Sequence, residues 1–265
     1  MAPSKKHFGE TADYIAKHRS QYPSAQTILL TGATAGIGLA IAKHLLSRSE
    51  QHLVILTGRK TEILEQLRSS DPDRVITSDG DMGDLDYVKG VIKGAQIDGR
   101  LDVLVLNHGT MGSCSRIGYM ESEEWEEVFR VKEALPLLRP AKGRIIFTSS
   151  GASQNAYSSW GAYGASKAAI NHLAMTLKNE EPDVTTLAIR PGVVDTAMQK
   201  NIRETFLKNM DENDKKKFLG AKEDGKLLPP HKPGNVIAKL AVRADKKLSG
   251  SFLSWDDPQL KDYVN

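Results

Sequence analysis

The stretch that most constrains this chain runs Thr27-Ile28-Leu29-Leu30-Thr31-Gly32-Ala33-Thr34-Ala35-Gly36-Ile37-Gly38, followed by Leu39-Ala40-Ile41-Ala42-Lys43-His44-Leu45-Leu46. A short run rich in Ile and Leu stops at a glycine and passes into apolar residues at helical spacing, which predicts a buried parallel strand turning tightly into a helix. Gly32 permits the turn, Gly36 lets a pyrophosphate approach the backbone, and Gly38 lets the helix pack closely on the strand, with the helix N-terminus facing the anion. A glycine turn also occurs as plain structure, so the dinucleotide it points to depends on what the rest of the chain supplies.

Alternating strand and helix patterns supply the scaffold. Further strands are predicted at 53–57, 74–77, 101–106, 144–150, 185–190 and 247–255, which implies an α/β fold with a single Rossmann-type, doubly wound parallel sheet. With 265 residues, 40% of them hydrophobic, the chain can bury one substantial core, so one domain is expected. Residues 1–26 read as an N-terminal arm, either an extra helix or a loose segment, ahead of a nucleotide-binding domain over 27–265. The +3 net charge comes from 36 basic and 33 acidic residues mixed along the chain, which argues against a nucleic-acid groove. One cysteine, Cys114, excludes an internal disulfide and a cysteine-based metal site; no metal is expected, and a reducing, cytoplasmic compartment is. No apolar run approaches the roughly 18 residues that would cross a bilayer, and residues 1–24 lack the hydrophobic centre of a signal peptide.

The second strand ends in Thr57-Gly58-Arg59-Lys60. A carboxylate there would bind the adenosine ribose hydroxyls, whereas an arginine accommodates a 2′-phosphate. The basic pair and the missing acid favour NADP(H) over NAD, unless Arg59 and Lys60 merely open a solvated helix. After the third strand, Asp79-Gly80-Asp81-Met82-Gly83-Asp84 reads by itself as a turn and a helix cap. The fourth strand runs into Asn107-His108-Gly109, with Asn107 expected to tie neighbouring strands together and His108 to be packed or partly wet. The fifth ends in Thr148-Ser149-Ser150, ahead of Tyr163-Gly164-Ala165-Ser166-Lys167. On a helix Tyr163 and Lys167 stand at i and i+4, so both leave the same face and can meet one substrate.

The Thr-Gly-x-x-x-Gly-Ile-Gly spacing, the serine-ended strand and Tyr-x-x-x-Lys together resemble the short-chain dehydrogenase/reductase family. That resemblance implies hydride transfer between a nicotinamide and a carbonyl carbon, with Tyr163 as the acid/base. A free tyrosine pKa near 10 is too high for ready exchange at neutral pH, so the Lys167 ammonium is expected to lower it. Ser150 would hydrogen-bond the substrate oxygen, and Lys167 would also hold the nicotinamide ribose. Cofactor contacts are implied for Gly32, Thr34, Gly36, Ile37, Gly38, Arg59, Asp81, Met82, Asn107, Gly109, Tyr163 and Lys167, and for Val194 and Thr196 in the loop Pro191-Gly192-Val193-Val194-Asp195-Thr196. The charged segment 198–233 corresponds to the family's mobile substrate lid, its charges read as solvated.

Glu180-Glu181-Pro182-Asp183-Val184 and 190–199 are most similar to the sepiapterin reductase and benzil reductase branch, whose members reduce ketones and vicinal dicarbonyls with NADPH. Ser254 stands where a pterin-binding carboxylate would be, with Asp256 and Asp257 nearby, which argues against a pterin. The family also carries an asparagine on its fourth crossover helix. Here Trp125-Glu126-Glu127-Val128-Phe129-Arg130-Val131 runs straight into Lys132-Glu133-Ala134-Leu135-Pro136, so that helix is shortened by roughly nine residues, about 13 Å. The deletion removes a member of the family's proton relay and uncovers sheet surface at about 25 cal/mol per Å². Two readings result. One is an NADPH-dependent reductase of a ketone, aldehyde or dicarbonyl, or oxidation of the alcohol. The other is a catalytically impaired NADP-binding or scaffold protein. The family usually forms dimers or tetramers, so a homo-oligomer is implied, with a small-molecule substrate and neither nucleic acid nor membrane as partner.

Overall fold

The computed structural model describes residues 9–95, 99–111 and 133–264. Seven strands, β1 (Thr27–Leu30), β2 (Leu53–Gly58), β3 (Val75–Asp79), β4 (Val103–Leu106), β5 (Arg144–Thr148), β6 (Thr185–Arg190) and β7 (Ser251–Ser254), form one sheet in the order β3-β2-β1-β4-β5-β6-β7. Every pairing is parallel.

Burial explains why these segments became strands. Every residue of β1 and β2 is buried, the signature of a parallel sheet covered on both faces. Successive side chains go to opposite layers. Ile28, Leu30, Val103 and Val105 join Ile41 and Leu45 of α2 (Gly36–Leu46), Leu64 and Leu67 of α3 (Thr61–Ser70), and Val236, Ile237 and Leu240 of α9 (His231–Arg243). Leu29, Ile55 and Leu104 face the other way, onto Val88 and Val91 of α4 (Leu85–Ala95), Leu137 and Leu138 of α5 (Leu135–Ala141), and Ala174 and Leu177 of α6 (Gly161–Glu180).

Strand ends differ from expectation where a backbone group is spent elsewhere. The 101–106 segment pairs as β4 only from Val103, because the Leu101 amide donates to the Leu137 carbonyl of α5 (3.0 Å). The 144–150 segment leaves the sheet after Thr148, and the 247–255 segment opens with a 3-10 turn in which Asp245 accepts from the Lys247 amide (2.9 Å). β3 begins one residue late, since the Arg74 amide donates to the Asp71 carbonyl (3.2 Å) and closes a turn there, while the Arg74 guanidinium reaches back to the Leu46 and Glu50 carbonyls (2.7 and 2.9 Å), at and just past the end of α2.

The arm contains α1 (Gly9–Gln21), which packs beside the N-terminal ends of β1 and β2. Ile15 is buried against Leu53, the Tyr14 hydroxyl donates to the Pro72 carbonyl (3.0 Å), and Arg19 donates to Thr27 Oγ1 (3.0 Å) and the Arg100 carbonyl (2.9 Å). The expected shortening near Val131-Lys132, Trp125 and Cys114 lie outside the described residues. No helix among the described residues is long and apolar enough to cross a membrane.

Between β1 and β4 the strand order reverses direction. In open parallel sheets that switch opens a crevice beyond the carboxyl ends of the strands.

Candidate active site

A cavity of about 840 Å³ occupies that crevice. The loops that leave the strands make its wall: Gly32 and Thr34 to Ile37 after β1, Gly58 and Arg59 at the end of β2, Gly80 to Met82 after β3, Asn107 to Met111 after β4, Thr148 to Ala152 after β5 and Arg190 to Val194 with Thr196 after β6.

At the β1–α2 turn, Gly32 and Gly36 hold φ angles of +68° and +51°, which L side chains rarely adopt. A Cβ on Gly38 would lie 2.0 Å from the Gly32 carbonyl oxygen. Gly38 is therefore the close-packing glycine and stays out of the cavity wall, while Gly32, Thr34, Gly36 and Ile37 line it. Ala35 precedes α2 without a side-chain cap, leaving the helix's first amides to a ligand. Bare amides at a helix N-terminus that opens on a cavity suit a diphosphate, so the residues present fit a dinucleotide.

Beyond the ends of β2 and β3, Met82 is buried and accepts a contact from Thr57 Oγ1 at 3.6 Å, and the exposed Arg59 guanidinium pairs with Asp81 at 3.4 Å. Asp84 is no cavity residue; its carboxylate accepts the Asp86 and Tyr87 amides (2.9 and 3.2 Å) and starts α4. Below the turn, burial pushes the Tyr87 hydroxyl up to about 12 while it donates to the Ser78 carbonyl (2.8 Å).

A hydrogen-bond chain then crosses the crevice. Asn107 Nδ2 donates to the Gly32 carbonyl (3.2 Å), and Thr148 Oγ1 donates to Asn107 Oδ1 (3.2 Å), so the residue expected to tie strands does so. His108 is partly buried, its Nδ1 2.7 Å from Thr31 Oγ1. Lys167, buried on α6, donates from Nζ to the Thr148 carbonyl at 2.9 Å. The same ammonium is 5.7 Å from the centroid of the Tyr163 ring and would be 3.4 Å from a Cβ on Gly109. Helical spacing has thus brought Tyr163 and Lys167 to one wall of the cavity, which Ser150 also lines. Ser150 Oγ accepts the Ala152 amide (3.1 Å), which leaves the hydroxyl hydrogen to be donated.

The cavity also has an apolar wall that the motifs did not foretell. Trp160 stacks on Phe218 of α8 (Glu212–Glu223), centroids 4.8 Å apart, and meets the Tyr163 ring edge-on at 5.7 Å. Tyr157 lies edge-on to both Trp160 and Phe218, at 5.0 and 5.4 Å. Trp160 and Tyr157 stand three and six residues ahead of Tyr163, and an aromatic pair so close to it was the available signal. The segment 198–233 folds over this wall as the end of α7 (Ala197–Asn201), short turns, α8 and the start of α9. Its charges are only partly solvated: Lys217 donates to the Tyr157 hydroxyl (3.0 Å), Lys222 pairs with Asp195 (3.7 Å), and Asp214 accepts from the Ser158 amide (2.7 Å). The Leu228 amide donates to the Val193 carbonyl (2.8 Å), and Thr196 caps α7 beside Gly36. Among the described residues no group of three or more His, Cys, Asp or Glu could hold a metal ion.

A parallel sheet opening on a glycine turn, with a phenol and an ammonium on the wall of the same cleft, is the construction of a nucleotide-dependent oxidoreductase. A family model described as short chain dehydrogenase matches residues 26–206, and the chain belongs to that family. Within it the chain falls in the branch that holds the benzil reductases. It is 36% identical over 90% of its length to the uncharacterized oxidoreductase YIR035C of Saccharomyces cerevisiae, covering 99% of that protein. It is 35% identical over 89% of its length to the benzil reductase ((S)-benzoin forming) IRC24 of the same yeast, covering 97% of it. The crystal structure of YIR035C superposes with a TM-score of 0.85, over 91% of this chain and 100% of that one. The protein is accordingly an enzyme acting on carbonyl or alcohol groups of a small molecule, from a family that binds a nicotinamide cofactor.

Proposed function

We propose that this enzyme uses NADPH to reduce a ketone, aldehyde or vicinal dicarbonyl, with Tyr163 as the acid/base. The observation that carries this reading is the buried Lys167 ammonium, held by the Thr148 carbonyl at 2.9 Å, 5.7 Å from the Tyr163 ring and on the wall of the cavity that the glycine turn opens. The bound nicotinamide supplies the hydride to the carbonyl carbon. The chain's own residues manage the proton and the charge. The Ser150 hydroxyl donates to the carbonyl oxygen and stabilises the charge that develops there. Tyr163 Oη gives its proton to that oxygen, and the nearby ammonium stabilises the phenolate left behind.

Gly32, Thr34, Gly36 and Ile37 would hold the diphosphate, with Gly38 allowing the close turn. Arg59 would hold the 2′-phosphate, Asp81 and Met82 the adenine side, and Asn107, Gly109, Val194 and Thr196 the nicotinamide half. The domain runs from residue 27, with 198–233 as its substrate lid. The aromatic wall of Tyr157, Trp160 and Phe218 and the similarity to a benzil reductase support an aryl dicarbonyl as first substrate to try. A similar structure, 35% identical with a TM-score of 0.76, is described as a cytoplasmic protein of Saccharomyces cerevisiae, which supports that compartment here.

Tyr163→Phe keeps the ring and removes the proton, so it should lose most turnover of benzil, on the order of a hundredfold or more, with NADPH affinity nearly intact. Rates by nicotinamide absorbance and Kd by titration check both. Normal turnover in the mutant refutes the assignment, whereas tight NADPH binding by an inactive wild-type chain points to a cofactor-binding scaffold.

A further inference from the structure

The turn that carries Ser150 leaves β5 and enters a single 3-10 turn, Gly151–Ser153, and one side chain of α6 spans it. Ser149 Oγ, before the turn, donates to Asn171 Oδ1 at 2.7 Å; Asn171 Nδ2 donates to Ser153 Oγ, at the turn's end, at 2.9 Å. Ser153 Oγ in turn donates to the Ser150 carbonyl at 2.6 Å. A single amide thus uses both its acceptor and its donor to fix the two ends of the segment that aims the Ser150 hydroxyl.

Its place on the helix sharpens the point. Asn171 is one turn beyond Lys167, as Lys167 is one turn beyond Tyr163, so a single face of α6 holds all three. Lys167 grips the end of β5 through the Thr148 carbonyl, and Asn171 grips the residues on either side of Ser150. We propose that Asn171 is a positioning residue for the reaction, acting through Ser150 by fixing the turn on which that hydroxyl is carried. The inference rests on the proposed function, in which Ser150 donates to the substrate oxygen.

An amide is suited to this task where neighbouring types are not. Aspartate of the same size accepts from Ser149 but has no N–H for Ser153, and alanine loses both bonds. Nearby hydroxyls would then rotate to other partners, and the Ser150 oxygen would wander by a fraction of an ångström. That is enough to weaken a hydrogen bond that matters only as charge develops.

The test is a double-mutant cycle on the full-length protein with NADPH and benzil, read as single-turnover rates, with NADPH Kd and melting temperature alongside. Asn171→Ala should lower the rate about tenfold, with NADPH Kd and substrate KM within a factor of about two. In a Ser150→Ala background the same change should cost nothing more, because the hydroxyl it positions is gone. If Asn171→Ala loses the same factor with and without Ser150, or leaves the rate at the wild-type value, the proposal fails. Should the alanine variant not fold, Asn171→Asp carries the same cycle with the same two criteria. Full activity of Ser150→Ala alone would instead overturn the functional reading.

Discussion

Thr34 and Gly58 meet at the tip of β2, and their contact decides what can stand at the end of that strand. A Cβ on Gly58 would lie 2.5 Å from Thr34 Cγ2 and 2.9 Å from its Oγ1, so a carboxylate aimed at a ribose diol from there would have to displace the Thr34 side chain. The next side chain, Arg59, pairs with Asp81 at 3.4 Å, both largely in solvent. Exposed pairs of this kind contribute about 0–1 kcal/mol, whereas a charge-assisted bond to phosphate contributes about 1.5–3 kcal/mol, so a 2′-phosphate can take the guanidinium from Asp81. Arg59→Ala should therefore raise KM for NADPH about tenfold and leave KM for NADH nearly unchanged. Equal losses with both nucleotides, or none, would place the discrimination elsewhere. The basic pair was legible in the sequence as charge at a strand end. Its engagement with Asp81 was not, because that contact depends on how β2 and β3 are registered.

Elements show the same division between local and distant causes. The segment 198–233 was recognisable as a charged stretch, but which charges hold it down depends on where α8 lands, and Lys217, Lys222 and Asp214 each find a partner on the body. At the other end of the sheet, α1 buries His18, whose ring nitrogens have no hydrogen-bond partner among the described residues. Burial, then the Arg74 and Arg19 charges, lowers its pKa; burial also lowers those of His44 and His52. Unfolded imidazoles take up protons as pH falls below about 6.5 while the folded ones resist, so the unfolded state binds more protons and stability falls with pH. Thermal melts from about pH 8 down to about pH 5.5 should show a declining melting temperature, and His18→Leu should make the decline shallower. A His18→Leu profile parallel to that of the wild type would mean that His18 carries none of it.

For the whole molecule, order along the chain was enough to foresee the sheet, since strand periodicity, a glycine turn and intervening helices admit few arrangements. The cavity wall was foreseen where one motif supplied neighbouring residues, as with Gly32, Thr34, Gly36 and Ile37 or Tyr163 and Lys167. It was missed where separate segments converge, as with Phe218 on Trp160, and so was the contact of Asn171 with Ser149 and Ser153 behind the wall. Because the wall draws on loops after six strands and on the segment 198–233, a nucleotide and substrate bound there would touch most parts of the domain at once. A ligand that binds only the assembled cavity stabilises the fold by mass action, about 2.7 kcal/mol at a hundred times its Kd. At about 2–4 °C per kcal/mol for a domain near this size, saturating NADPH should raise the melting temperature by roughly 5–10 °C. NADH at the same concentration should raise it less, by the margin that the Arg59 contact supplies, and Arg59→Ala should bring the two shifts together. A melting temperature unmoved by either nucleotide would show that the crevice at the β1–β4 switch is not the cofactor site.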